Sequence, residues 1–124
     1  MATLTFPASA STRARRAAID ALGELGDRRA VMPAIGALKD ADRLVRLAAA
    51  RTLGKIKDRS AIEPLIEAVG DAYAAVGYEA NGALYEITGH KVDIPIGWGA
   101  STIRTYRQPL WQRWWDENKA EFEK

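Results

Sequence analysis

The chain has 124 residues, with 18 basic and 16 acidic side chains, one histidine and no cysteine. This length predicts a single domain or a piece of a longer repeat array, and no apolar run approaches the roughly 20 residues that a membrane-spanning helix needs. The lack of cysteine excludes disulfides and thiolate metal sites, and a net charge of +2 is too small to indicate a polyanionic partner.

The first twelve residues are predicted to form an N-terminal extension. Residues 1–19 contain no acidic side chain and are rich in Ser, Thr, Ala and Arg, as transit peptides are. The arginines belong to a repeat that starts at residue 13, which argues against a targeting segment. The composition leaves the cellular compartment open, with the cytoplasm slightly favoured.

Two segments, 15–40 and 46–71, align without a gap at an offset of 31 residues. A fixed period in this range predicts a stacked-repeat architecture. The repeats are placed at 13–40 and 43–71. Twelve of the 26 aligned positions are identical: Arg15/Arg46, Ala17/Ala48, Ala18/Ala49, Leu22/Leu53, Gly23/Gly54, Asp27/Asp58, Arg28/Arg59, Ala30/Ala61, Pro33/Pro64, Ile35/Ile66, Ala37/Ala68 and Asp40/Asp71.

Apolar residues within each repeat recur at the helical spacing i, i+3, i+4, which predicts two helices per repeat. Asp27 and Asp58 stand where the second helix begins, so we expect them to cap it. Pro33 and Pro64 suit the first turn of that helix. Each first helix contains a glycine at a cost of about 1 kcal/mol relative to alanine, which we expect a closely packed partner helix to offset.

A third first helix follows in register within the half repeat 72–87, where Tyr85 replaces the glycine. We therefore expect its partner helix to be missing. Residues 88–108 are predicted to be a long loop, with a β-hairpin that pairs 92–96 with 101–106 as one option. Pro109 then suits the start of a helix over 109–122, which carries its apolar side chains on one face and is predicted to cap the last repeat: Trp111, Trp114, Trp115, Asn118 and Phe122.

The segments "ALGELGDRRAVMPAIGALKD" and "TLGKIKDRSAIEPLIEAVGD" resemble HEAT-like repeats of the phycobilisome-lyase type. The resemblance covers about residues 13–90. It implies an all-α fold, a right-handed superhelix of about two and a half repeats closed by a C-terminal capping helix. Such solenoids commonly serve as protein-binding scaffolds and occasionally as enzymes.

Catalysis is not expected. His90 is the single histidine, and the chain has no second histidine and no cysteine to join it in a metal site or as a nucleophile, so a helix-capping or solvent role is favoured over catalysis. No glycine-rich phosphate loop precedes a helix. We expect no catalytic, cofactor or metal site, and no residue matches a motif for the bilin lyase activity that the family name suggests.

The function that the sequence favours is a scaffold that binds a protein partner. In such solenoids the second helices line the concave face, and a binding surface is expected where the two repeats differ. These positions are Met32, Gly36, Lys39, Glu63, Glu67 and Gly70. The loop offers aromatic and apolar anchors as a second candidate surface, at Ile96, Trp98 and Tyr106.

Nucleic-acid binding is the alternative. It would need basic side chains on one face and exposed rings for base stacking. The acidic residues Asp20, Glu24 and Asp27 interrupt the basic cluster, so this alternative is not favoured. The arginines of the nucleic-acid alternative are Arg13, Arg15, Arg16, Arg28, Arg29, Arg104 and Arg107, beside Tyr106 and Trp98.

The outer face of the first helix is expected to be exposed, which favours a homo-oligomer, a longer parent chain or a constant partner.

Overall fold

The computed structural model describes residues 11–123. All regular secondary structure in this part of the chain is helical. The predicted extension 1–12 lies almost entirely outside the described residues. The helices are α1 (Thr12–Leu25), α2 (Val31–Ala37), α3 (Arg43–Ile56), α4 (Ile62–Val69), α5 (Ala74–Thr88) and α6 (Ala100–Phe122).

The helices form two layers. The first helices α1, α3 and α5 pack side by side in chain order, and each second helix packs on the next first helix, α2 on α3 and α4 on α5. α6 packs on α4 and takes the place of a third second helix. The predicted all-α solenoid is confirmed. Its core consists of small and branched apolar side chains and ends at the fully buried Trp111.

Each second helix begins in the same way. A short 3-10 turn precedes it, and the carboxylate of Asp27 or Asp58 accepts a hydrogen bond of 2.9 Å from the backbone N–H two residues later. Pro33 and Pro64 are the third residues of α2 and α4, where a missing N–H costs no helical hydrogen bond. Capping by the two aspartates therefore occurs as predicted, at the turn that leads into the helix.

The glycines of the first helices have a different partner from the one predicted. A Cβ on Gly23 would lie 2.7 Å from the side-chain oxygen of Thr52, and a Cβ on Gly54 would lie 3.1 Å from Cα of Ala83. The close neighbour is thus the first helix of the next repeat, not the second helix of the same repeat. Tyr85 takes the glycine position in α5 and is 41% exposed, because none of the described first helices follows it.

The C-terminal helix starts nine residues earlier than predicted. α6 begins at Ala100 and includes Pro109 in its interior, so residues 101–106 are helical and the proposed β-hairpin is wrong. The loop spans 89–99 only. The β-branched residues Thr102 and Ile103 favoured a strand locally, but strand propensity is a weak preference that packing overrides, and here the helix packs on α4.

An arginine of the first helix binds the aspartate at the end of the second helix in both complete repeats. Arg15 donates to Asp40 at 3.1 and 3.2 Å, and Arg46 donates to Asp71 at 2.8 and 3.1 Å. All four side chains are largely buried. In the third unit Gly77 replaces the arginine, and its backbone packs so closely that an added Cβ would lie 2.7 Å from the carbonyl oxygen of Val69.

Candidate protein-binding surface

The face formed by the second helices carries one continuous groove. A depression of about 390 Å³ lies between α2 and α4, and a second of about 540 Å³ lies between these helices and α6. The two share Ile35, Glu63 and Pro64, so we treat them as one groove. The remaining lining residues are Met32, Leu38, Lys39, Arg59, Ser60, Glu67, Ala68, Asp71, Trp115, Phe122 and Glu123.

Two hydrogen bonds from tryptophans fix α6 against the repeats. Nε1 of Trp111 donates to Oδ1 of Asn81 on α5 at 2.7 Å, and Nε1 of Trp115 donates to Oε1 of Glu63 on α4 at 3.0 Å. Both indoles are buried, as a capping role requires. One carboxylate oxygen of Glu63 is thereby committed to the cap.

The floor of the groove is apolar and its rim is charged. Met32 is 68% exposed, and Ile35 is half-buried although its counterpart Ile66 is buried. Lys39 and Glu67 approach to 3.8 Å across the rim, but both are well exposed, so solvent screens this pair. The guanidinium of Arg59 lies 5.5 Å from the ring centre of Phe122.

The six positions predicted for the concave face are all exposed. Four of them, Met32, Lys39, Glu63 and Glu67, line the groove. Gly36 has open space where a side chain would stand. Gly70 is better explained by packing, because a Cβ there would lie 3.1 Å from the side chain of Gln108 on α6.

The loop candidates form a separate small cluster. The rings of Trp98 and Tyr106 pack with centres 5.2 Å apart at 47°, and Ile96 is fully exposed beside Gly97, which has φ of 95°. Trp98 is half-buried and Tyr106 is half-exposed. None of the three predicted loop residues lines the groove.

His90 has a packing role that the sequence did not indicate. Gly89, with φ of 74°, is the C-terminal cap of α5, and the ring of His90 stacks on Trp114 with centres 4.3 Å apart and planes 7° apart. The edge of Trp111 closes the same cluster. The ring therefore joins the loop to α6, and the backbone N–H of His90 donates to Oγ1 of Thr88 at 3.1 Å, at the predicted place after the helix end.

The arginines of the nucleic-acid alternative do not form one free basic patch. Arg15, Arg28 and Arg29 form ion pairs with aspartates. Arg104 is distant from these three in sequence, and its guanidinium donates to the backbone carbonyl of Ala72. Arg13 and Arg16 are exposed on α1. This arrangement offers little of the clustered charge that phosphate binding needs.

Two capping aspartates have lowered pKa values. Hydrogen bonds from Ser60, and then the nearby guanidinium of Arg28, hold the pKa of Asp58 below its ordinary value. Hydrogen bonds from Arg29 lower the pKa of Asp27 in the same way. Both shifts follow from capping and pairing, so they indicate stabilised helix starts and not a catalytic acid or base.

Within residues 11–123 no group of acidic and histidine side chains is arranged to hold a metal ion. No helix of this part of the chain combines the length and apolar character needed to cross a membrane.

The outer face of α1 is exposed to solvent as far as the described residues go, and Leu25 in this helix is 77% exposed. The expected homo-oligomer, parent chain or constant partner remains a prediction.

Comparison with known proteins identifies the repeat family. The sequence matches HEAT repeats over residues 5–84, more than half of the chain. The match does not distinguish the phycobilisome-lyase subtype, which stays a prediction. No curated protein matches the chain. HEAT repeats generally mediate protein–protein interaction and are typically non-enzymatic scaffolds. The tandem helical hairpins, their 31-residue period and this match together place the chain in the HEAT-repeat family.

Proposed function

We propose that this chain is a non-catalytic adaptor that binds a protein partner in the groove between α2, α4 and α6. The observation that carries the proposal is the continuity of the groove, whose two parts meet at Ile35, Glu63 and Pro64. The general role of HEAT repeats in protein–protein interaction supports it.

The composition of the groove suits a protein ligand. Interface energy concentrates in apolar and aromatic anchors that a polar rim surrounds. Met32 and Ile35 supply exposed apolar surface on α2, and Phe122 supplies an aromatic ring on α6. Lys39 and Glu67 stand at the rim and carry opposite charges that a partner can match.

The walls of the groove are held in place by side-chain hydrogen bonds, and a preorganised surface lowers the entropic cost of binding. α2 and α4 are fixed by their capped starts, and α6 is fixed by the hydrogen bond between Trp115 and Glu63. Surface residues of such a scaffold can differ between repeats without changing the fold. Met32 and Glu63, which occupy equivalent positions in the two repeats, are an example.

Affinity capture from source lysate tests the proposal. The bait is the full chain, and the groove variant combines Met32→Asp with Glu67→Arg, both on exposed side chains. We expect the wild type to retain specific proteins and the groove variant to lose at least about tenfold of the signal, the loss typical of removing an interface anchor. The matched control is Glu86→Arg, an exposed charge reversal on α5 away from the groove lining.

Three outcomes speak against the groove. Equal capture by the wild type and the groove variant would show that the partner binds elsewhere. Loss with Trp98→Ala and Tyr106→Ala, but not with the groove variant, would move the site to the loop cluster. Binding that nuclease abolishes, with no protein retained, would instead support the nucleic-acid alternative. Each variant is first checked for a helical spectrum and an unchanged melting temperature.

A further inference from the structure

A cavity of about 240 Å³, open to solvent, lies between α5, the loop and the middle of α6, and it shares no lining residue with the groove. Its apolar wall consists of Val92, Ile94 and Trp111. Lys91 and Arg107 supply its charge, and no acidic side chain lines it. The remaining lining residues are Asn81, Gly82 and Tyr85.

Arg107 differs from the other arginines of the described chain that are not exposed. Three arginines in residues 11–123 are at least partly buried, and two of them, Arg15 and Arg46, hold an aspartate through two hydrogen bonds each. Arg107 instead faces a cavity that contains a second cation and no carboxylate. Two cations that line the same space, with no acidic side chain between them, favour an anion there.

The other polar groups of the cavity are also suited to an anion. Nζ of Lys91 lies 4.9 Å from the ring centre of Tyr85, which holds the ammonium at the wall through a cation–π contact. Oδ1 of Asn81 is occupied by the indole N–H of Trp111, so the amide nitrogen of Asn81 keeps its donor hydrogens. Two cations and one amide donor therefore surround the space.

We propose that this cavity binds a small carboxylic acid with a short apolar tail. Arg107 would hold the carboxylate, Lys91 would add charge, and the tail would pack against Val92 and Ile94. At about 240 Å³ the cavity is large enough for a short-chain acid. Hexanoate has this size and is a suitable probe. A chain end with an apolar last residue presents the same chemistry.

The proposal is tested by titrating the full chain with hexanoate and following backbone amide signals of Gly82 and Val92 and the indole N–H signal of Trp111 by NMR. We expect saturable shifts at these groups. Arg107→Gln and Lys91→Gln should each weaken binding by about tenfold, the loss expected for a charged hydrogen bond. Arg113→Gln, an exposed arginine of α6 paired with Glu117, is the matched control and should leave binding unchanged.

Three ligand controls separate the contributions. Hexanamide has the same tail without charge and should give no saturable shift, and inorganic phosphate should bind at least about tenfold more weakly because it leaves the apolar wall unused. Acetyl-Ala-Ala-Leu binding more tightly than hexanoate would assign the site to a chain end, and the reverse order would assign it to a free acid; both support the proposal.

The proposal is overturned if hexanoate gives no saturable shift, if hexanamide or phosphate matches it, or if Arg113→Gln weakens binding as much as Arg107→Gln does. Thermal unfolding provides a second measurement. Because Arg107 has no carboxylate partner in the cavity, Arg107→Gln should keep the melting temperature of the free protein. If this variant nevertheless unfolds, Lys91→Gln, whose side chain is exposed in the loop, carries the test.

Discussion

Arg46 and Asp71 are joined by two hydrogen bonds of 2.8 and 3.1 Å, which tie the first helix of the second repeat to the end of its second helix. The same guanidinium also donates to the backbone carbonyls of Asp40 and Ala41 at 2.9 and 3.3 Å. One side chain therefore connects both helices of its own repeat with the end of the preceding repeat.

Arg46→Met should destabilise the protein by about 2–3 kcal/mol, because it leaves the largely buried carboxylate of Asp71 without its cation. Arg51→Met is the matched control on the same helix. Arg51 approaches Glu79 only to 3.8 Å at an exposed site, so its loss should cost no more than about 1 kcal/mol. Urea denaturation followed by circular dichroism measures both, and equal losses would contradict the structural role of Arg46.

Gly54→Ala should destabilise the protein by about 1–3 kcal/mol, although alanine is the better helix former, because the added Cβ would lie 3.1 Å from Cα of Ala83 and a backbone atom cannot move aside easily. Gly82→Ala should instead stabilise by about 0.5–1 kcal/mol, since nothing lies within 4 Å of its added Cβ. Melting temperatures that shift in the same direction for both variants would refute close packing of α3 on α5.

Trp111→Phe should cost about 1–3 kcal/mol, because a fully buried ring loses volume and Oδ1 of the partly buried Asn81 loses its hydrogen-bond donor. Trp98→Phe, at a half-buried ring in the loop, should cost less than about 1 kcal/mol. Chemical denaturation of both variants tests whether α6 is an integral cap. Similar losses would mean that α6 contributes little to the stability of the repeats.

Asp58→Ala should destabilise by about 1 kcal/mol at neutral pH, the usual cost of losing a capping side chain. The folded-state pKa of Asp58 is lowered, so its contribution is present above the ordinary value of 3.8 and is lost as the pH falls through the lower folded-state pKa. The stability difference between wild type and variant should therefore shrink below about pH 4. A difference that stays constant down to pH 2 would exclude an ionised cap.

The repeat could be predicted from the sequence, because identical residues at a fixed offset indicate positions with equivalent structural surroundings. Asp27 and Asp58 cap equivalent turns, and Arg15 and Arg46 bind equivalent aspartates. The helix that packs against Gly23 could not be predicted in this way. A glycine inside a helix indicates that another helix packs closely there, but it does not indicate which neighbouring helix that is.

The third unit was harder to predict because it has no second copy to compare. Pro109 predicts a helix start because proline favours a first turn, yet α6 packs on α4 and passes through this proline. The groove was predicted only in part. Ile35 is identical to the buried Ile66 and so resembles a core residue, although it is half-buried under the groove.

Tyr85 stands where the earlier repeats have glycine. Its side chain occupies the position through which α1 and α3 each approach the next first helix, at Gly23 and Gly54. Duplicating residues 43–73 before α5 would place Gly54 against the Thr52 of the copy, the same junction that Gly23 and Thr52 form now. Residues 43–73 thus form a unit whose duplication should lengthen the solenoid while its first and last helices stay unchanged.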